Sequence, residues 1–162
     1  MREATHSKIV QFHEEIATAH LDINGFYRFN WSEISGKFRA GIATPALLLE
    51  SHSFGIKPNS NNTTTFSPKY ISFLLLDFTG KADNYTKQEE VLDITENIAI
   101  DIISYLKQLY NDKTSWLYGC VDLDSIECEK VGPIFDNMYG WNVKYSITPR
   151  QPLCFEPDKW FF

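Results

Sequence analysis

The sequence predicts a single α+β domain, in which two helices pack on one face of a twisted, largely antiparallel sheet of four or more strands. The nearly continuous apolar run Lys69–Thr79 is typical of a central strand that is covered on both faces. Two amphipathic segments, one before and one after this run, each carry a single apolar stripe that must be buried. With 162 residues and no interdomain linker, the chain is expected to form one domain over 1–162. Its core is expected at 5–149, followed by an aromatic C-terminal tail at 150–162.

The first helix is predicted over Thr5–Asp22. Asn24 and Gly25 are expected to end it, because both residue types tolerate the left-handed conformation found at helix C-termini. The apolar residues of this segment recur at spacings of three and four and therefore share one helix face. They are Ile9, Phe12, Ile16, Ala19 and Ile23.

Three histidines of this helix, His6, His13 and His20, recur every seven residues. Seven residues correspond to about 10.5 Å of helix rise. That is too far for two of them to share a metal ion, whose bonds to imidazole are about 2 Å long. We expect the three histidines to lie on a solvated helix face.

The region before the central strand is predicted to contain a strand and a long loop. Phe26–Trp31 is either a strand or an aromatic connection, and Ser32–Gly41 is predicted to be a loop. Pro45–Ile56 is predicted to be a strand, because proline is tolerated at the first position of a strand. Lys57–Pro68, which is rich in Asn, Ser and Thr, is predicted to be a mobile hairpin loop.

The second helix is predicted from Thr86 to Tyr110. Thr86 and Glu89 have the spacing of a capping box, in which each side chain binds the other residue's backbone N–H. Its apolar stripe consists of Val91, Ile94, Ile98, Ile102, Leu106 and Leu109. Three strand candidates follow the helix, at Trp116–Val121, Ile126–Val131 and Asn142–Thr148.

Charge and hydropathy argue against two classes of partner. The net charge of −6 and the lack of a Lys/Arg cluster disfavour nucleic-acid binding. The longest apolar run, Tyr70–Leu76, is far shorter than the roughly 20 residues of a membrane span. The polar segment Met1–Val10 does not resemble a secretory signal peptide, so we expect a cytoplasmic protein that is not secreted by such a signal.

Catalytic and metal-binding signatures are missing from the sequence. The acidic residues Asp122, Asp124, Glu127 and Glu129 lack the spacing of a calcium loop and are expected at a solvated strand edge or turn. Cys120, Cys128 and Cys154 show no zinc-ligand spacing and are expected to be reduced and structural. We therefore predict no catalytic residues, no cofactor and no bound metal.

Aromatic residues make up 15% of the chain, and such side chains dominate cores and interfaces alike. At least one of two segments is expected to contact partners, namely the Asn/Thr-rich loop or the C-terminal tail. The alternatives are a disordered loop and a tail that folds back on its own core. The candidate interaction residues are Asn59, Asn61, Asn62, Thr64, Phe66, Trp160, Phe161 and Phe162.

Four segments follow one another along the chain, namely Pro45–Glu50, Lys69–Phe78, the helix after Thr86 and the closing segment Phe135–Val143. Their order resembles that of phage tail-terminator and related tail-completion proteins. The resemblance covers about residues 5–149. It implies a non-enzymatic subunit that assembles into a ring, typically hexameric, at the end of the tail tube. In such rings the hairpin loop, here Lys57–Pro68, often reaches toward a neighbouring subunit.

The expected function is therefore that of a structural subunit of a phage, prophage or phage-derived tail-like assembly. Its expected partners are further copies of itself and tail-tube or connector proteins, and its expected location is the cytoplasm and then the assembled particle. Two alternatives remain. One is a small-molecule or peptide-binding α+β module, which would need a closed pocket under the helices. The other is a small hydrolase that uses Cys120 or His52 with an acidic partner.

Overall fold

The computed structural model describes residues 4–29, 42–57, 65–135, 137–153 and 155–161. The helices are α1 (His6–Ala19) and α2 (Tyr85–Asn111). The strands are β1 (Gly25–Phe29), β2 (Ala46–Glu50), β3 (Ser53–Phe54), β4 (Lys69–Phe78), β5 (Val121–Ile134) and β6 (Met138–Ile147). A short 3-10 turn, Pro157–Lys159, lies in the C-terminal tail.

These strands form one sheet in the order β1-β2-β4-β6-β5, and the short strand β3 pairs with the start of β4. Among the described strands, β1 and β2 run parallel to each other and the other pairings are antiparallel. The predicted α+β class with a largely antiparallel sheet is confirmed. The strand predicted to be central, β4, lies in the middle of the sheet, between β2 and β6.

Both helices pack on the same face of this sheet, as predicted. The main core joins the apolar stripes of α1 and α2 to alternate residues of β2, β4 and β6. From the helices it contains Ile9, Phe12, Ile16, Ile98, Ile102 and Leu106, and from the sheet Leu47, Leu49, Ile71, Phe73, Leu75, Val143, Tyr145 and Ile147.

The opposite face of the sheet carries a smaller apolar cluster. Its buried residues are Ala46, Leu48, Leu74, Leu76 and Met138. Partly buried side chains from the ends of β1, β4 and β5 pack against it, among them Tyr27, Phe78 and Ile134. Because β4 buries side chains on both faces, its sequence is apolar almost without alternation.

The start of α2 differs from the prediction. Asn84 caps the helix, and its Oδ1 accepts a hydrogen bond of 3.1 Å from the backbone N–H of Lys87. The predicted capping box of Thr86 and Glu89 is therefore wrong, because Thr86 already lies inside the helix. In the apolar stripe, Ile94 is partly exposed while Thr95 is fully buried, with its hydroxyl donating to the Val91 carbonyl. The hydroxyl is satisfied within the helix, so the core tolerates it.

Two strand predictions also need correction. Pro45–Ile56 is not one strand but two, since β2 ends at Glu50 and β3 pairs separately with the first residues of β4. Trp116–Val121 is mostly turn rather than strand, and β5 begins only at Val121. Backbone hydrogen bonds hold this turn, since the Tyr118 N–H donates to the Ser115 carbonyl at 3.1 Å and the Cys120 N–H donates to the Leu117 carbonyl at 3.0 Å.

The predicted long loop is shorter than expected. Lys57 and Phe66 already pair as an antiparallel bridge, with the Lys57 N–H donating to the Phe66 carbonyl at 2.9 Å. Thr65 and Ser67 are buried. The part of the predicted loop after residue 64 therefore belongs to the folded domain, and residues 58–64 lie outside the described residues.

Candidate functional site

The predicted interaction residues divide into two groups. Asn59, Asn61, Asn62, Thr64 and Phe162 lie outside the described residues. Phe66 and Trp160 are 40% and 59% exposed, and Phe161 is fully exposed. The three aromatic residues of this set that the structure describes, Phe66, Trp160 and Phe161, are thus exposed at the surface.

The structure brings the base of the loop and the start of the tail together. Phe66 pairs with Arg150 in an antiparallel bridge, and the Gln151 N–H donates to the Thr65 carbonyl at 2.8 Å. The Ser67 N–H donates to the Pro149 carbonyl at 3.0 Å. Backbone hydrogen bonds therefore anchor the tail to the domain up to residue 151.

Beyond this anchor, residues 155–161 form a compact turn that we call the aromatic hook. The rings of Phe155 and Trp160 stack with their centroids 6.0 Å apart and an interplanar angle of 27°. The Trp160 N–H donates to the Pro157 carbonyl at 3.0 Å, and Lys159 forms an ion pair with Glu156. These local contacts give the hook a defined shape, although both rings are mostly exposed.

A cleft of about 1150 Å³ lies between the start of α1, strand β3 and the tail, and we call it the tail cleft. Its apolar wall includes Phe54, Ile56 and Leu153. The remaining lining residues are Ala4, Thr5, His6, His52, Ser67, Lys69, Gln151, Pro152, Glu156 and Lys159. The sequence offered no local signal for this cleft, because its residues come from four separate segments that only the tertiary fold brings together.

Charge in the tail cleft is carried mainly by cations. The imidazole rings of His6 and His52 stack with centroids 4.9 Å apart, and Lys69 places its Nζ 4.8 Å from the centre of the Phe54 ring. Burial lowers the pKa of His52, and the nearby His6 and Lys69 lower it further. His52 is therefore held in its neutral form, and the charged side chains that line the cleft are Lys69 and the ion pair of Lys159 with Glu156.

The cleft contains hydroxyls and histidines, but the described hydrogen bonds do not pair them as a nucleophile and its base. Ser67 Oγ donates to the Gly55 carbonyl at 3.1 Å, so its proton is directed to the backbone. Cys120 is not among the described residues that line the cleft. Burial, followed by the charge of Glu96, raises the pKa of the Cys128 thiol, which favours the unreactive protonated form.

His13 overturns the prediction of a solvated histidine face. It is only 1% exposed and lies inside the apolar stripe of α1. Its Nδ1 lies 2.7 Å from the Ile9 carbonyl oxygen, and its Nε2 lies 3.0 Å from the Tyr145 hydroxyl. A carbonyl only accepts, so Nδ1 carries the proton and Nε2 accepts from Tyr145. Burial is the main cause that lowers the pKa of His13 to about 4.

The other two histidines of α1 also have neighbours. His6 stacks on His52, and His20 Nε2 lies 3.4 Å from Asp101 Oδ2 at the far end of the helix. A small groove of about 350 Å³ lies there between α1 and α2. Of the three histidines His6, His13 and His20, His6 is therefore the one that lines the tail cleft.

The acidic residues of β5 lie on a solvent-exposed strand edge, as the sequence predicted. Asp122, Asp124, Glu127 and Glu129 are exposed on a strand at the end of the sheet. Glu129 pairs with Lys144 of the neighbouring strand. Within the described ranges, no group of three or more His, Cys, Asp or Glu side chains is placed to hold a metal ion.

Neither described helix is long and apolar enough to cross a membrane. Comparison of the chain with protein-family models, with curated proteins and with solved structures finds no match.

Proposed function

We propose that this chain is a non-enzymatic structural subunit of a phage, prophage or phage-derived tail-like assembly, which associates with copies of itself into a ring at the end of the tail tube. The observation that carries the proposal is the order of its elements. In the part of the chain that the structure describes, a helix, two strands and a short third strand, a long central strand, a long helix and a closing hairpin stand in this order. This is the plan on which the resemblance to tail-terminator and tail-completion proteins rests.

The surface of the domain supports an assembly role. Aromatic side chains are exposed at the base of the predicted loop, at the start of β4 and in the hook, including Phe66, Tyr70, Phe155 and Trp160. Clustered exposed apolar side chains are typical of surfaces that contact other proteins. Tail-tube and connector proteins are the further partners that this proposal implies.

The sheet edges are suited to selective rather than indiscriminate pairing. Among the described strands, β1 and β5 lie at the two ends of the sheet. Exposed carboxylates on β5, such as Asp124 and Glu127, disfavour uncontrolled strand pairing. Contacts between subunits would then depend on specific side chains, as a closed ring requires.

The test is the dependence of association on concentration and salt. The net charge of −6 makes subunits repel one another, and this repulsion is screened over about 10 Å at 0.1 M salt and about 3 Å at 1 M. Sedimentation velocity should show larger species as concentration and ionic strength rise, and negative-stain imaging should show rings. A monomer at every concentration and salt condition would overturn the proposal.

A small-molecule or peptide-binding module is the second candidate, and the tail cleft favours it. The cleft has an apolar wall and several polar groups, and its volume of about 1150 Å³ slightly exceeds the roughly 300–1,000 Å³ of ordinary ligand sites. Native mass spectrometry of the purified protein, before and after denaturation, tests this candidate. A bound compound that denaturation releases would support it, and a ligand-free monomeric protein whose melting temperature no screened compound raises would count against it.

A further inference from the structure

We propose that the groove between α1 and α2 binds a small organic cation, namely an amine that carries an apolar or aromatic body. We call this site the helix groove. It is lined by Phe12, Glu15, Ile16, Ala19 and His20 from α1 and its C-cap, and by Asp101, Ile102 and Tyr105 from α2. The inference goes beyond the proposed function and does not depend on self-association, because a monomer presents the same groove.

The helix groove exists because the two helices rest on different parts of the sheet. Helix α1 packs on β1 and β2, whereas α2 packs on β4, β5 and β6. The sheet therefore holds the helices side by side, and a space of about 350 Å³ stays open between them. This volume lies at the lower end of the roughly 300–1,000 Å³ that small-molecule sites occupy. The groove thus has the size for a small ligand rather than for a large cofactor.

The floor of the groove is apolar. Phe12, Ile16 and Ile102 are almost fully buried and separate the groove from the solvent-free core beneath it. Ala19 adds only a methyl group to one wall, and the ring of Tyr105, which is 44% exposed, forms part of the other wall. An apolar or aromatic ligand body would leave water when it enters this space, which favours binding.

The rim of the groove carries negative charge from both helices. Glu15 and Asp101 are exposed there, and the described residues that line the groove include no lysine or arginine. The last turn of α1 also borders the groove and contains no basic residue. A helix C-terminus carries a partial negative charge and therefore attracts cations. The rim favours an ammonium group over a carboxylate for this reason.

The contacts that the two carboxylates already make are compatible with a bound ammonium. Glu15 Oε1 accepts a hydrogen bond of 2.7 Å from the side-chain amide of Gln11. His20 Nδ1 accepts from the Asp22 N–H at 3.2 Å, so the neutral imidazole carries its proton on Nε2. This Nε2 lies 3.4 Å from Asp101 Oδ2. Each contact involves one carboxylate oxygen, and an ionised carboxylate can accept about four hydrogen bonds, so both groups can accept from the ligand as well.

The experiment titrates 2-phenylethylamine into the full-length protein at neutral pH and low salt, and follows the methyl signals by NMR. A Kd of about 1 mM is expected for a ligand of this size. The signals of Ile16, Ala19 and Ile102 should shift, because these methyl groups line the groove. The neutral analogue 2-phenylethanol should bind at least about threefold more weakly, since it lacks the charge. The anionic analogue phenylacetate should bind more weakly still.

Substitutions on both helices test the recognition of charge. The double variant Glu15→Gln and Asp101→Asn keeps the shape of the rim and should weaken amine binding about tenfold. The matched control, Glu14→Gln with Asp93→Asn, removes the same charge from exposed positions of the same helices that do not line the groove. It should bind the amine like the parent. Ala19→Phe should fill the groove and abolish the shifts.

The outcomes separate this inference from the proposed function. Absence of shifts at about 10 mM amine, well above the expected Kd, would overturn it. Shifts confined to Ile56 and Leu153 would place the amine in the tail cleft and would also overturn it. Equal affinities for the amine and the alcohol would refute recognition of charge. If Ala19→Phe fails to fold, the two double variants still decide, because all four of their side chains are exposed. Rings seen or missing in the assembly test leave these outcomes unchanged.

Discussion

Acidification should destabilise this domain through a single buried imidazole. His13 has a pKa of about 4 in the folded protein, against 6.5 for an unperturbed histidine. As the pH falls, the unfolded chain therefore binds a proton on this imidazole at a higher pH than the folded protein does. The stability that depends on neutral His13 is fully present above pH 6.5 and is lost as the pH falls toward 4. A tenfold difference in proton affinity is worth about 1.4 kcal/mol, so the free energy of unfolding should fall by roughly 2 kcal/mol between pH 7 and pH 4.5.

The assay is urea denaturation, followed by circular dichroism at several pH values. Carboxylates and His52 also titrate in this range, so the parent must be compared with His13→Gln, which keeps a donor and an acceptor but cannot become charged. The difference in unfolding free energy between the two proteins isolates the contribution of His13. His20→Gln is the matched control on the same helix, and it should retain the acid sensitivity of the parent.

A flat difference between the parent and His13→Gln from pH 7 to pH 4.5 would refute this reasoning. It would mean that the pKa of His13 is about the same in the folded protein as in the unfolded chain. Tyr145→Phe gives a second check, because it removes the hydroxyl that Nε2 accepts from. This variant should lose stability at pH 7 by about 1 kcal/mol, the usual net value of one buried hydrogen bond.

Three further predictions concern folding. Ile98→Asp places a charge in the core between α2 and the sheet and should cost several kcal/mol; a melting temperature equal to that of the parent would contradict the packing of α2. Asn84→Ala should lower the free energy of unfolding by about 1 kcal/mol, whereas Thr86→Ala should change it little, and equal effects in urea titrations would argue against Asn84 as the cap. Replacing residues 58–64 by a tight turn should change the unfolding free energy by less than about 1 kcal/mol, because the flanking residues already pair; a large loss in a thermal melt would mean that the segment packs on the domain.

Patterns that depend on neighbouring residues predicted most of this fold. The spacing of apolar residues identified α1, α2 and β4, and the strict alternation of Val143, Tyr145 and Ile147 identified β6 with its buried face. The cap of α2 was assigned two residues too late, because Asn84 and Thr86 have similar capping ability and only the backbone conformation decides between them.

Features that depend on distant residues could not be predicted in the same way. His13 sits in an apolar stripe, but its burial is tolerable only because Tyr145 provides a hydroxyl from the last strand. The tail cleft is lined by segments that are far apart in the chain, so no local pattern indicates it. Composition alone could not predict that two exposed aromatic residues of the tail, Phe155 and Trp160, stack on each other.

The hydrogen bond between His13 and Tyr145 also has a consequence for synthesis of the chain on the ribosome. The two residues are 132 positions apart, and β6 inserts between β4 and β5 after both have been made. At 5–20 residues per second, the His13 imidazole therefore waits roughly 7 to 26 s before the Tyr145 hydroxyl is synthesised. The N-terminal helix can therefore begin to dock on β1 and β2 during synthesis, but the hydrogen bond that satisfies buried His13 forms only near the end of translation.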